Sequence, residues 1–166
     1  MGNETGRIQS VCYLVSRFPA LSQTFVANEM AAVEAEGVRV EVASIWNVDT
    51  GHHSGHRGHA VELPFIPRVR SMNIKSPRAW LDMAAAVVSR PAVLLELAKM
   101  VPEHMKSPYL FAKLLATTPR GLWLGTQLRR NPVDHIHAHF ITSPATVAMI
   151  ASKVSGIPYS ATAHAF

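Results

Sequence analysis

A doubly wound α/β protein with a mostly parallel sheet and helices on both faces is what the sequence predicts, and three observations predict it. The segment "VCYLVS" (11 to 16) is a continuous apolar run of the kind a strand covered on both faces requires. A helix-period segment bounded by a cap at each end separates it from a second, β-branched strand, which is the pattern of a right-handed parallel crossover. The same strand, helix, strand order returns in the last forty residues. A chain of 166 residues is one domain's worth and buries roughly 70% of the surface its unfolded form would expose. With 48% hydrophobic and 16% charged residues, a disordered chain is excluded.

The elements follow in order. After the first strand, "SQTFVANEMAAVEAEG" opens at Ser22 as N-cap, carries Val26, Met30 and Val33 on one face, and stops at Gly37. "VRVEVAS" (38 to 44) alternates and is the second strand. "WNVDTGHHSGHRGHA" (46 to 60) reads as a long surface loop. Its His52, His53, His56 and His59 lie in a glycine-rich setting without fixed geometry, so any metal they bind is adventitious. "VELPF" (61 to 65) is the expected third strand. From Ser76 to about Arg129 the prolines at 77, 91, 102, 108 and 119 each mark an expected helix start or break, so several helices are predicted. "VDHIHAHF" (133 to 140) is a strand. Ser143 is expected to cap the next helix with Pro144 at its first position, Val147, Ile150 and Val154 share its inner face, and Gly156 ends it. "IPYSATAHA" (157 to 165) is the last strand. The chain stops at Phe166, where a doubly wound protein continues into a helix, so residues 1–166 are expected to be one domain of a sequence that has been cut.

The single cysteine, Cys12, forms no internal disulfide and sits in an apolar run, which reads as a small buried hydrophobe in a reducing compartment. Met1 to Ser10 lacks an apolar leader, Gly6 stands where a myristoylation signal needs Ser or Thr, and no stretch approaches 18 uninterrupted apolar residues. A cytoplasmic address is expected. The net charge of +5 is uneven: between Arg68 and Arg130, eleven Lys or Arg face three acids, a net +8, which leaves −3 for the rest. A basic middle of this kind suits an anionic membrane surface or simply the solvated faces of helices. Few aromatics and no recognition motif speak against nucleic acid as a partner.

In an open parallel sheet, ligands bind beyond the carboxyl ends of the strands. Arg17, Ser22, Gln23 and Thr24 follow the first strand, His139, Thr142 and Ser143 follow the fourth, and His164 follows the last. The expected helix N-termini at Ser22 and Ser143 turn free N–H groups toward the same edge, an arrangement suited to a phosphate or diphosphate. Period two places His135, His137 and His139 on one strand face. The acid nearest in sequence, Asp134, points to the opposite face, so no metal is expected. His135 and His137 read as buried, hydrogen-bonded histidines and His139 as the functional one. The sequence contains no G-x-G-x-x-G, G-x-x-x-x-G-K-[ST], G-x-S-x-G, H-E-x-x-H or Asp-x-Asp, which disfavours dinucleotide, P-loop, esterase, zinc-protease and metal-diphosphate chemistry.

"YLVSRFPALSQTFVANEMAAVEAEGVRVEV" and "HIHAHFITSPATVAMIASKVSGIPYSATAHAF" resemble the N-terminal half of bacterial family 4 glycosyltransferases, the retaining GT-B enzymes of exopolysaccharide and colanic-acid type. The shared spacing is F-P-x-x-S-[EQ]-T-F, H-x-H-F and T-A-H-A, over about the first 45 and last 35 residues. The resemblance implies two Rossmann-like domains around a cleft, the first receiving the acceptor and the second, lying outside this chain, binding the nucleotide-sugar donor with its acidic pair and basic phosphate ligands. It implies a saccharide or lipid-linked acceptor and no catalytic metal or other cofactor. It places Ser22 to Phe25, His139 and His164 toward the cleft, with Gln23 where Glu is common in the family. His164 is then the catalytic expectation, hydrogen-bonding the reacting sugar during same-face attack assisted by the leaving phosphate. The alternative from another class is a non-catalytic α/β module that binds an anionic glycan or membrane surface through its basic middle.

Overall fold

The computed structural model describes residues 7–18, 24–46, 69–72 and 74–163. Strands β1 (Ser10–Val15), β2 (Arg39–Ser44), β3 (Val69–Ser71), β4 (His135–His139) and β5 (Tyr159–Thr162) form one sheet in the order β3-β2-β1-β4-β5. Every neighbouring pair is parallel. The helices are α1 (Thr24–Ala35), α2 (Pro77–Ser89), α3 (Ala92–Met105), α4 (Pro108–Arg130) and α5 (Ser143–Ser155). This is a Rossmann-like, doubly wound α/β fold. The chain winds outward from β1 to β3, recrosses through α2 to α4, and resumes at β4 on the other side of β1, so the strand order reverses between β1 and β4.

All six residues of β1 are buried because both of its faces are covered. Val11, Tyr13 and Val15 pack with Val26, Ala27 and Met30 of α1 and with Val40 and Val42 of β2. Cys12 and Leu14 face the other way, into a core with Leu124 and Leu128 of α4 and Val147, Ala148 and Ala151 of α5. Burial, and next the charge of Glu41, pushes the Cys12 thiol up to about 12, consistent with an inert hydrophobe. The outer helices α2 and α3 pack Met83, Ala86 and Val93 against Leu122, Ile150 and Val154 rather than against the sheet.

Helices α4 and α5 approach closely through two glycines. A Cβ at Gly121 would stand 2.6 Å from the Ile150 Cβ, and one at Gly125 would stand 2.5 Å from the Val154 Cβ. At the amino edge of the sheet, the Asp134 carboxylate accepts hydrogen bonds from the Gln9 and Ser10 backbone N–H groups and the Ser10 hydroxyl, at 2.8 to 2.9 Å, and so fastens β1 to the start of β4.

Two expectations are corrected, on the prolines and on the cap of α5. The third strand among the described residues is Val69–Ser71; the strand expected at 61 to 65 lies outside them, as do Ser22 and residues 47 to 60 of the histidine-rich loop. Prolines 77, 91 and 108 start helices, but Pro102 and Pro119 are carried inside α3 and α4. Around Pro119, side chains engage the carbonyls of the preceding turn: Thr117 and Thr118 bond Leu114, and Arg120 bonds Ala116. The cap of α5 is Thr142, not Ser143. The Thr142 carbonyl accepts the Thr146 N–H at 3.3 Å and so begins the helical ladder, leaving Ser143 as its first residue and Pro144 as its second. Gly156, at φ 85°, ends α5 in the left-handed conformation the sequence requires there.

Candidate functional site

Strand-order reversal opens a crevice where the helices after β1 and β4 leave in opposite directions. The carboxyl ends of β1 and β4 therefore define the candidate site, and the polar residues there belong to elements far apart in the chain. A groove of about 720 Å³ lined by Arg7, Glu36, Arg39 and Asp134 lies at the opposite, amino edge and takes no part in this arrangement.

At the centre is Glu29 of α1. One carboxylate oxygen lies 2.9 Å from Nε2 of His139, and the other accepts the Tyr13 hydroxyl at 3.0 Å. His137 Nε2 stands 4.0 Å from that second oxygen. Partial burial pushes the Glu29 carboxyl up, but hydrogen bonds from His139 and Tyr13, with the charges of His139 and His137, outweigh it and hold the group below the ordinary carboxylate range. An ionised carboxylate only accepts, so His139 Nε2 carries the hydrogen in this pair. Burial, and next Glu29, pushes the Tyr13 phenol up, which keeps it a hydrogen-bond donor.

His137 and His135 extend the network onto β5. His137 Nδ1 and His135 Nε2 both lie 2.8 Å from the Ser160 hydroxyl, and the Thr162 hydroxyl lies 3.0 Å from His137 Nε2. Desolvation is the leading cause that pushes both imidazoles below their usual value, against which Glu29 pulls His137 back up. The neutral form is thereby favoured, and a Ser hydroxyl that both donates and accepts links the two rings.

Aromatic rings roof the pair. Phe25 meets His139 edge-on at 5.6 Å between centroids and Phe140 at 6.2 Å. Phe140 holds φ at 80°, a left-handed conformation costly for a bulky side chain. It lies directly after His139, where the chain turns from β4 toward α5, and strain at such a turn is characteristic of functional sites.

Sequence reasoning placed the functional histidine at 139 and buried ones at 135 and 137. The structure reverses the burial: His139 is wholly enclosed, while the other two are only partly covered. The cause is α1, which covers β1 and the end of β4, whereas His135 and His137 look over the β5 side. The absence of a nearby acid, on which the expectation of no metal rested, is also corrected, because Glu29 arrives 110 residues earlier in the chain. Its position was readable: it lies three after Val26 and four before Val33, beside the buried stripe of its helix. Arg17 is exposed two residues past β1, and Ser143 is buried at the start of α5. Thr24 begins α1, and nothing is described of its side chain; Gln23 and His164 lie outside the described residues.

Comparison with models of protein families, with curated proteins and with solved structures found no match.

Proposed function

We propose that this chain is the acceptor-side half of a retaining GT-B glycosyltransferase of the bacterial family 4 kind, whose complete form moves a sugar from a nucleotide-sugar to a saccharide or lipid-linked acceptor. One observation supports it above the others: the three motif segments meet. Phe25 of F-P-x-x-S-Q-T-F touches His139 and Phe140 of H-x-H-F, and Thr162, which opens T-A-H-A, bonds His137. They meet at the carboxyl edge of a reversed parallel sheet, where a cleft between two such domains would open. In this reading α1 and β4 supply the floor on which the acceptor is held, His164 reaches the reacting sugar, and the donor is bound by residues outside this chain.

A second observation favours contact with an anionic membrane surface. Of the large hydrophobic side chains exposed among the described residues, nine of thirteen lie on α2, α3 and α4, among them Trp80, Leu81, Leu94, Leu95, Tyr109 and Leu110. Lys99 lies on α3, Lys106 caps it, and Lys113 lies on α4. Phe111 and Trp123, on the same helix as Tyr109 and Leu110, are half-buried. Exposed apolar side chains among cations suit a leaflet that carries or presents a lipid-linked acceptor. No helix among the described residues is long and apolar enough to cross a membrane.

The test is to read the gene past the codon for Phe166 and assay the full-length product for transfer of labelled sugar from a panel of nucleotide-sugars to membrane lipid or polysaccharide. A second Rossmann-like domain and labelled product are expected. A gene without that domain, or a full-length protein that labels nothing across the panel, removes the glycosyltransferase reading.

A further inference from the structure

Glu29, His137 and His139 place a carboxylate oxygen and two imidazole nitrogens within 4.8 Å of one another. We propose that these three residues form a binding site for a divalent transition-metal ion, Zn²⁺ in the first instance, that ties α1 to β4 on the floor of the crevice. The proposal is independent of the glycosyltransferase reading.

The chemistry of the donors selects the ion. Two imidazoles and one carboxylate are too nitrogen-rich for Mg²⁺ or Ca²⁺ and contain no thiolate for a soft ion, which leaves the borderline metals, zinc foremost. Metal–ligand bonds of about 2.0 to 2.2 Å in a tetrahedron set the donor atoms about 3.4 Å apart. The His139 and His137 Nε2 atoms stand 2.9 and 4.0 Å from the two different oxygens of the Glu29 carboxylate, and one donor atom from each of the three residues lies within 4.8 Å of the others, so small side-chain rotations bring them to that spacing. His137, the less enclosed of the two histidines, moves inward to close the set, and its Nε2 exchanges the Thr162 hydroxyl for the metal; His139 exchanges its Nε2 hydrogen for the metal and carries its hydrogen on Nδ1 instead, as a neutral imidazole ligand must.

Outer partners of the sort that orient metal ligands are already in place. The Tyr13 hydroxyl bonds the Glu29 carboxylate, and the Ser160 hydroxyl engages Nδ1 of His137, fixing Nε2 as the ligating nitrogen. Three protein ligands leave a fourth position open, and the 41% exposure of the Glu29 side chain gives a solvent-borne ligand access to the site. An anionic oxygen of a bound ligand, a phosphate or a carboxylate, is the group it would accept.

The histidine-rich loop is the obvious competitor for zinc, so the test is made in a host in which His52, His53, His56 and His59 are all changed to Ser. Zinc retention by equilibrium dialysis, visible absorption of the Co²⁺ form and the rise in melting temperature with Zn²⁺ are measured on the full-length protein. The host is expected to bind zinc, to give the intense visible bands of four-coordinate Co²⁺ and to melt higher with the metal. Glu29→Gln and His137→Gln, which conserve shape and polarity, should each weaken affinity by about 100-fold or more, at least as much as losing an outer partner costs. His104→Ala, on α3, should bind as the host does. Zinc bound by the wild type but not by the host is an adventitious ion only and overturns the site. So do folded Glu29→Gln and His137→Gln proteins, verified by circular dichroism, that bind as tightly as the host.

Discussion

Gly125→Ala tests the packing that seats α5 at the crevice. On an open helix surface this change stabilises by about 1 kcal/mol, because alanine has the higher helix propensity. Here the new methyl carbon would stand 2.5 Å from the Val154 Cβ, 2.8 Å from its Cγ1 and 3.0 Å from the Ala151 carbonyl oxygen. None of these is the free end of a flexible side chain, so relief requires α4 and α5 to separate. Overpacking of this sort costs about 1 to 3 kcal/mol, and a clash with a buried Cβ and a backbone oxygen belongs in the upper half of that range. Net destabilisation of about 1 to 2 kcal/mol is expected, or about 3 to 6 °C in Tm for a chain of this size.

Urea unfolding reads this as a lower midpoint at unchanged m. Gly121→Ala presses Ile150 in the same way, at 2.6 Å, and forces the same separation. The double variant should therefore cost less than the sum of the singles by about 0.5 kcal/mol or more. A Gly125→Ala protein more stable than the wild type would show that the helices are not in contact there and would refute the reasoning.

Three further outcomes are expected. Asp134→Asn should lower the melting temperature at neutral pH, because the carboxylate that holds the amino end of β1 loses charge-assisted bonds. Backbone hydrogen bonds from Gln9 foremost hold the Asp134 pKa below its ordinary value of 3.8, so its contribution is present above 3.8 and lost as pH falls through the folded-state value. Melting curves of wild type and variant should accordingly converge in strong acid; a gap that stays constant there assigns the effect to something other than charge. On the glycosyltransferase reading proposed above, His164→Ala in the full-length protein should lower kcat by about 10² or more, the usual cost of one transition-state contact, and unchanged kcat in a folded variant returns the residue to structure. Sedimentation with anionic vesicles should fall with salt and be lost in the triple variant Lys99→Glu, Lys106→Glu, Lys113→Glu, each lysine near the lipid contributing about 1 kcal/mol; equal binding to neutral vesicles argues against an electrostatic surface.

How much of this was legible follows from which interactions are local. Strands β1, β2, β4 and β5 and helices α1 and α5 were readable because each carries its own signal: "VCYLVS" needs only to be apolar throughout, and α5 announces its end with Gly156. The α5 start was misread by one residue because Ser143 and Thr142 are both capable caps, and local sequence does not choose between them. Pro119 looked like a break because a single-residue rule cannot see that residues on both sides of it, Leu114 and Thr117 before and Gly121 and Leu122 after, are buried along one helix. The glycines at 121 and 125 look like weak helix positions until the partner helix is present to require them.

The histidine strand shows the same limit at the site itself. Alternation assigned its three rings to one face, and they do share a face, but alternation carries no information about what covers that face. Coverage is set by α1, whose position over β1 follows from the crossover to β2, so burial grades along β4 from partly open at His135 to closed at His139. A buried imidazole needs a partner, and the partner comes from the covering helix: Glu29 sits beside the stripe that docks α1, at the end of β4 where the sheet meets that helix. An acid beside the apolar face of the helix, Glu29, is thus the part of the site the sequence did display, although Glu34 stands beside the same face and only the fold chooses between them. The strand contributes nitrogen atoms at intervals of two residues and the helix contributes the charge, and only the fold brings them within bonding distance.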